Sequence, residues 1–239
     1  MKHWNRALPL LIGVLFATTS VASASGTQAV HPSFATKQTV TLIELTKEEA
    51  QHYELLQGGH ADASIAGGTV AYSGKLSEAE KKAYKTDMLS MTRTATPVQT
   101  DTVTPQWCTG LFLKNVSYLG NNYYFTNQRI GASEGAGPIT LSVTVSKSVS
   151  ATFSANVGVS AEVVSAGVGY SVTGTYGVSS TGTWAVPSGT YGRLEAYALH
   201  DKHSWEVWED DCGTPTDTYK GNGNSWKPNG SVYFKKVTL

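Results

Sequence analysis

Charge is scarce in this sequence. Lys and Arg together number 18, as do Asp and Glu, so 15% of the 239 residues are charged and the net charge is zero. Such a chain has no electrostatic footprint for nucleic acid or for an anionic surface, and no nucleic-acid partner is expected. Long apolar runs are missing as well. The run Ala7–Ala17 is broken by Pro9 and Gly13 and falls short of the about 20 residues a membrane-spanning helix needs. Cysteine is limited to Cys108 and Cys212, and with no further Cys or close His the pair does not read as a metal site. No Ser/His/Asp set stands out, and Gly167-Val168-Gly169 is no phosphate loop because no helix is expected after it. An enzyme is the least expected class, and no cofactor or metal is implied.

What is present begins with an export signal. Lys2 and Arg6 make a short positive region, the apolar run follows, and Ala22-Ser23-Ala24 has the small-x-small pattern of a cleavage site. Residues 1–24 therefore read as a signal peptide, and the mature chain as secreted and extracellular. In that compartment Cys108 and Cys212 are expected to form a disulfide. It would close a loop of roughly 100 residues, worth about 4–5 kcal/mol in the chain-entropy model. Trp107, Trp205 and Trp208 near the two cysteines suggest a bridge against a core.

The mature chain divides by composition. Residues 25–105 form an N-terminal helical, pro-like segment that ends in a Thr-rich linker. Thr39–Leu45 is a strand candidate. Thr46 and Glu49 then make a capping box for a helix to about Gln57, stopped by Gly58-Gly59. A Gly- and Ala-rich stretch, Gly58–Gly74, leads to a second helix starting at Ser77 and running to about Met91. Residues 92–105 carry Thr and Pro without an apolar period and read as a linker. The segment is either a removable pro-region or a helical decoration of one fold. Residues 106–239 read as a β domain. Leu111–Tyr118 and Tyr123–Ile130 are expected to pair as a hairpin around Gly120-Asn121-Asn122. Later strands are Gly192–Leu199, Trp205–Trp208 and Val232–Val237, with Gly213–Gly230 a long surface loop.

One segment stands apart. From Ile139 to Val163 the odd positions are apolar except for Lys147, and the even positions from Thr140 to Glu162 are Thr, Ser, Asn, Gly or Glu. Side chains alternate faces along a strand, so this reads as one strand with an apolar and a hydroxyl face. After a break at Val164-Ser165-Ala166-Gly167 the alternation resumes with reversed parity: Val168, Tyr170, Val172, Tyr176, Val178, Trp184 and Val186 are apolar. Two such strands make an amphipathic hairpin, 139–186. A strand of 25 residues would extend roughly 80 Å, against about 5–6 residues for an ordinary strand. Between Lys147 and Arg193 the only charge is Glu162. A bilayer-crossing strand needs about 9–11 residues with one lipid-compatible face, and Ser154–Val163 and Val168–Gly177 fit that length. The membrane-facing residues would be Phe153, Ala155, Val157, Val159, Ala161, Val163, Val168, Tyr170, Val172 and Tyr176. A single hairpin cannot close a barrel, so insertion would require several chains in a ring.

On these residues the chain resembles the aerolysin-like (ETX/MTX2-type) β-pore-forming toxins. The resemblance covers Gly137–Tyr197: ITLSVTVSKSVSATFSANVGVS, then EVVSAGVGYSVTGTYGVS, then TGTWAVPSGTYGRLEAY with its Val-Pro-x-Gly turn. It implies a strand, an insertion hairpin and a returning strand, in elongated antiparallel sheets. The N-terminal helices, read from their start signals, are not part of that pattern, so the expected fold is mainly β with a small helical N-terminal segment. The implied function is a secreted, oligomerising protein that inserts a β-hairpin, with a target membrane and further copies of itself as partners.

Other chemistry is weaker. His200-Asp201-Lys202-His203 has an H-x-x-H spacing, but it reads as a surface turn with no third zinc ligand. Glu209, Asp210, Asp211 and Asp217 lack the Gly-pivoted loop of a calcium site. Tyr118, Tyr123, Tyr124, Trp184, Trp205, Trp208 and Trp226 would form a sugar platform or, more simply, packing. The alternative function is a non-enzymatic β-sandwich acting as a cell-surface, matrix or glycan-binding protein. A third is a self-assembling fibre.

Overall fold

The computed structural model describes residues 39–90, 96–98, 110–210 and 216–239. The expected signal peptide, Cys108, Cys212, Asp211 and most of the Thr-rich linker lie outside the described residues. The chain runs through β1 (Val40–Leu45), α1 (Lys47–Leu56), β2 (Ile65–Ser73), α2 (Glu78–Leu89), β3 (Thr96–Pro97), β4 (Leu111–Tyr123) and β5 (Arg129–Ala136). It continues through β6 (Ile139–Ser150), β7 (Thr152–Ala155), α3 (Ala161–Val168), β8 (Thr175–Val186), β9 (Tyr191–Glu209) and β10 (Thr218–Thr238). The protein is mainly β, with long antiparallel strands and short helices.

Both expected helix starts form as capping boxes. Thr46 Oγ1 accepts from the Glu49 amide and Glu49 accepts from the Thr46 amide, at 3.2 and 2.8 Å. Ser77 and Glu80 repeat the arrangement at α2. Each box satisfies two amides that a helix start otherwise leaves open.

The larger sheet has the order β1-β2-β10-β9-β4-β3, with β5 also paired to β9 and β7 to β10. Its spine is the β9–β10 pair, strands of 19 and 21 residues. The 191–197 half of β9 carries β5 and the 200–209 half carries β4. Register shifts separate the halves, one of them between Pro228 and Val232 in β10. That is where a proline without an amide donor fits a long strand.

Three expectations are corrected here. Leu111–Tyr118 and Tyr123–Ile130 do not form a hairpin. Gly120-Asn121-Asn122 lies inside β4 at irregular register, and β4 and β5 both pair with β9. His200–His203 is the middle of β9, not a turn. Most of the Gly213–Gly230 loop is strand β10, because its glycines make room for aromatic packing: a Cβ at Gly223 would stand 2.1 Å from the Trp205 ring. The Gly- and Ala-rich stretch Gly58–Gly74, to which the sequence assigned no element, contains β2, an interior strand of the sheet.

The two faces of the spine bury different clusters because successive side chains alternate. On one face Tyr197, Leu199 and Tyr233 meet Ala50 and Tyr53 of α1, Ile65 and Val70 of β2, and Met88 of α2. On the other, Ala196, Ala198, Val232 and Phe234 meet Leu141, Val143 and Val145 of β6 and Val178 and Val186 of β8. The described parts of 25–105 and 106–239 therefore share one sheet and one core. They are not separately packed domains.

Candidate functional site

Strands β6 and β8 form a sheet of their own. Twelve residues on each side pair from Ile139↔Val186 to Ser150↔Thr175 without a register shift. Leu141, Val143, Val145, Val178 and Val186 are buried on the spine. The opposite face carries Thr140, Ser142, Thr144, Ser146, Ser148 and Ser150 across from Thr175, Ser179, Thr181 and Thr183. The Thr144 and Thr181 hydroxyls lie 3.0 Å apart across that ladder. The flanking half of the expected hairpin thus exists in the expected register of faces.

The distal half does not continue it. The single strand expected from 139 to 163 stops at Ser150, and the break expected at 164–167 lies within a helix. The Ala151 amide donates to Gly174 O at 2.8 Å, and then the chains part. Residues 151–174 form a strap across the body. β7 adds to the β10 edge, Thr152–Ala155 against Gly223–Trp226. Asn156 prolongs this contact, its Oδ1 accepting from the Asn222 amide at 2.8 Å. Ser160 caps α3 by accepting from the Val163 amide, and Gly169 ends it in the left-handed region at φ 76°. The Val172 amide donates to Ser165 Oγ at 3.1 Å, and the Tyr170 hydroxyl to Ser225 Oγ at 2.8 Å.

The physical reason for the departure is burial. In water the apolar side of 151–174 needs cover, and the second half of the sheet supplies it. Val164, Val168 and Val172 are buried with Leu113, Val116, Trp205 and Val207. Phe153, Ala155, Val157, Val159, Ala161, Val163 and Tyr170 pack partly buried around them. Of the ten residues read as membrane-facing, all but Tyr176 therefore lie in one cluster; Tyr176 is on β8. Gly167 is required for the helix to seat, since a Cβ there would come 2.5 Å from Leu113. Among the described residues no helix is long and apolar enough to cross a membrane, which says nothing of strands.

The other candidates disperse. His200 and His203 are three apart in a strand and point to opposite faces, so they cannot share a metal. His200 is buried beside Phe125, and burial pushes its imidazole down to about 4. Asp217 pairs with Lys114, and Glu209 with Lys220. Trp205 and Tyr124 are core residues, and the remaining aromatics are only partly exposed. Gly131-Ala132-Ser133-Glu134-Gly135 has the letter spacing of a nucleophile elbow but lies within β5, followed by another strand rather than a helix.

One polar cluster gave no signal in sequence, because its members are far apart along the chain. Glu54 accepts from the Tyr124 hydroxyl, and Lys235 stands 3.5 Å from Glu54 and 3.6 Å from Glu195. Burial alone would raise the Glu195 carboxyl. The Tyr197 hydroxyl, Lys235 and Arg129 together hold it below the usual range. The cluster borders a cleft of about 360 Å³. Each carboxylate already has a cation, so the arrangement is a satisfied ion network rather than an acid–base pair.

No protein-family model matches the chain, and no curated protein matches it at a significant level.

Proposed function

We propose that the protein is a secreted, non-enzymatic β-pore-forming protein of aerolysin-like architecture, with 151–174 as its stored insertion segment. One observation carries the reading. The β6–β8 register, continued residue by residue past Ser150↔Thr175, sets like against like in every row. On one face it brings Phe153 opposite Val172, Ala155 opposite Tyr170, Val157 opposite Val168 and Val159 opposite Ala166. On the other it brings Thr152 opposite Thr173, Ser154 opposite Ser171, Asn156 opposite Gly169 and Ser160 opposite Ser165. The hairpin closes at Glu162-Val163, so the one charge of 151–174 sits at the tip.

Each new arm, 151–161 and 164–174, has eleven residues, the length a tilted strand uses to cross a bilayer. The sequence is thus written for two packings. In water the apolar face is covered by the body; in lipid the same face meets acyl chains and the hydroxyl face lines an aqueous lumen. Open strand edges are too costly in hydrocarbon, so the second packing requires a closed ring of chains.

The test is a lock. Ser154 and Asn224 are directly paired between β7 and β10, so Ser154→Cys with Asn224→Cys ties the strap down under oxidising conditions. Oxidised protein is expected to release no dye from liposomes and to form no SDS-resistant oligomers, with both restored on reduction. Leakage by the locked protein overturns the reading. A monomeric wild-type protein inert on vesicles but retained on a polysaccharide column would favour the glycan-binding sandwich instead.

A further inference from the structure

The strap is held at one point by a titratable group. The His203 ring on β9 lies between two tyrosines, Tyr118 of β4 at 5.3 Å and Tyr170 of the strap at 5.6 Å between centroids. His203 Nδ1 is buried without a hydrogen-bond partner among the described residues. The charged groups around it are Asp201 on its own strand and Lys227 on β10. Lys227 stands over the rings of both Tyr170 and Tyr176, at 5.4 and 5.3 Å. Tyr84 of α2 lies close enough to feel Tyr118 and Asp201. Tyr170 is therefore the strap's anchor: its ring covers His203, its face takes Lys227, and its hydroxyl reaches Ser225, which is fully buried.

We propose that His203 is an acid-sensitive catch, which when protonated weakens the seat of Tyr170 and favours release of residues 151–174. The proposal rests on reading 151–174 as a releasable strap. A proton on His203 brings a second cation beside Lys227 in a pocket closed by aromatic rings, and the released state relieves this by letting water reach the imidazole. The sign follows from the seated state. Burial, with Lys227 adding to it, holds the seated imidazole below 6.5 against the opposing pull of Asp201. The seated strap is at full stability above about pH 6.5, the value for a solvated histidine. It loses stability as pH falls through that value toward the lower seated one. His200 is buried away from the strap anchor beside Phe125, so its response to acid belongs to the body.

The experiment is amide hydrogen exchange of the full secreted chain at pH 7.5 and 5.5, each corrected for intrinsic exchange, followed separately over 151–174 and over β9–β10. Strap opening is expected to rise several-fold in acid, up to about tenfold per unit of difference between the two histidine states, with the spine unchanged. In His203→Gln the acid effect on the strap should vanish. In Tyr170→Phe, which keeps the ring and loses the Ser225 hydrogen bond, opening should increase at both pH values with the acid effect retained. Strap exchange independent of pH in the wild type, or an acid effect that survives in His203→Gln, overturns the proposal. The wild-type His203 ring titration by NMR needs no variant, and a midpoint at or above that of free histidine also overturns it. Strap loosening in acid without vesicle leakage would leave the catch standing and remove the pore reading. Leakage with a pH-insensitive strap would do the reverse.

Discussion

Two stretches of one hairpin obey the same sequence rule and fold differently. Ile139–Ser150 and Thr175–Val186 alternate and pair through twelve regular rows. Residues 151–174 alternate just as strictly and become a short added strand, an extended turn and a helix. The difference lies in what covers each apolar face. The flanking arms lie over Ala196, Ala198 and Phe234, and Gly182 of β8 admits the Phe234 ring, since a Cβ there would stand 2.4 Å from it. That close approach lets a flat two-stranded sheet sit on the spine. The strap instead meets the bulky ridge of Leu113, Trp205 and Val207, and only a broken path buries it there. α3 is a poor helix by its own sequence. It has eight residues, three of them Val and one Gly, and these are residues that favour strands or turns. Its existence depends on docking, whereas β6 and β8 have local and tertiary preference in agreement.

The largest effect expected concerns the platform beneath the strap. Cys108 and Cys212 each stand three residues beyond the Leu111↔Glu209 pair that ends the β4–β9 ladder. Their disulfide is the expectation that an exported chain with two cysteines carries. Peptide mapping should find the bridge, and replacing both cysteines with serine should lower unfolding free energy by about 4–5 kcal/mol in urea titrations. Two free thiols would instead leave the platform held by packing alone.

How far the sequence could be read follows the same division. The capping boxes at Thr46 and Ser77 were legible because caps are local chemistry, and the β6–β8 faces because alternation is. The distal strap was not, since alternation fixes which side chains share a face of a strand but not whether a strand forms. Gly221 and Gly223 looked like loop residues because a glycine that admits a neighbouring side chain reads the same as a glycine in a turn; only Asn156 and Val157 against Gly221, and Trp205 over Gly223, tell them apart. The Glu54–Lys235–Glu195 network joins residues scattered over the whole chain, and no spacing announces it.

A smaller perturbation sharpens the comparison directly. Val145 of β6 is 2% exposed and Val164 of α3 is 0% exposed. Replacing either with alanine removes two buried carbons and should cost about 2 kcal/mol. Both should lower global stability in denaturant by that amount, and strap exchange separates them. Val164→Ala removes packing present only in the seated strap and should raise exchange of 151–174 by about thirtyfold. Val145→Ala should leave strap exchange nearly unchanged, because Val145 stays buried when the strap alone opens. Strap exchange raised equally by both would mean that the strap opens only with the cooperative core.

The smallest change isolates the helix from the packing. Ser160 Oγ accepts from the Val163 amide at 3.4 Å and caps α3, while in the extended hairpin the same side chain would sit on the hydroxyl face opposite Ser165. Ser160→Ala removes the cap and hardly alters the alternative. It should cost the seated strap about 1 kcal/mol, which is about a fivefold rise in local opening. Ser160→Asp should restore protection, because aspartate caps as well as serine and adds a favourable charge at the helix start. Alanine and aspartate acting alike would mean that α3 is held by Val164 and Val168 alone. Opposite effects would mean that a single hydroxyl helps decide which of the two packings the segment adopts.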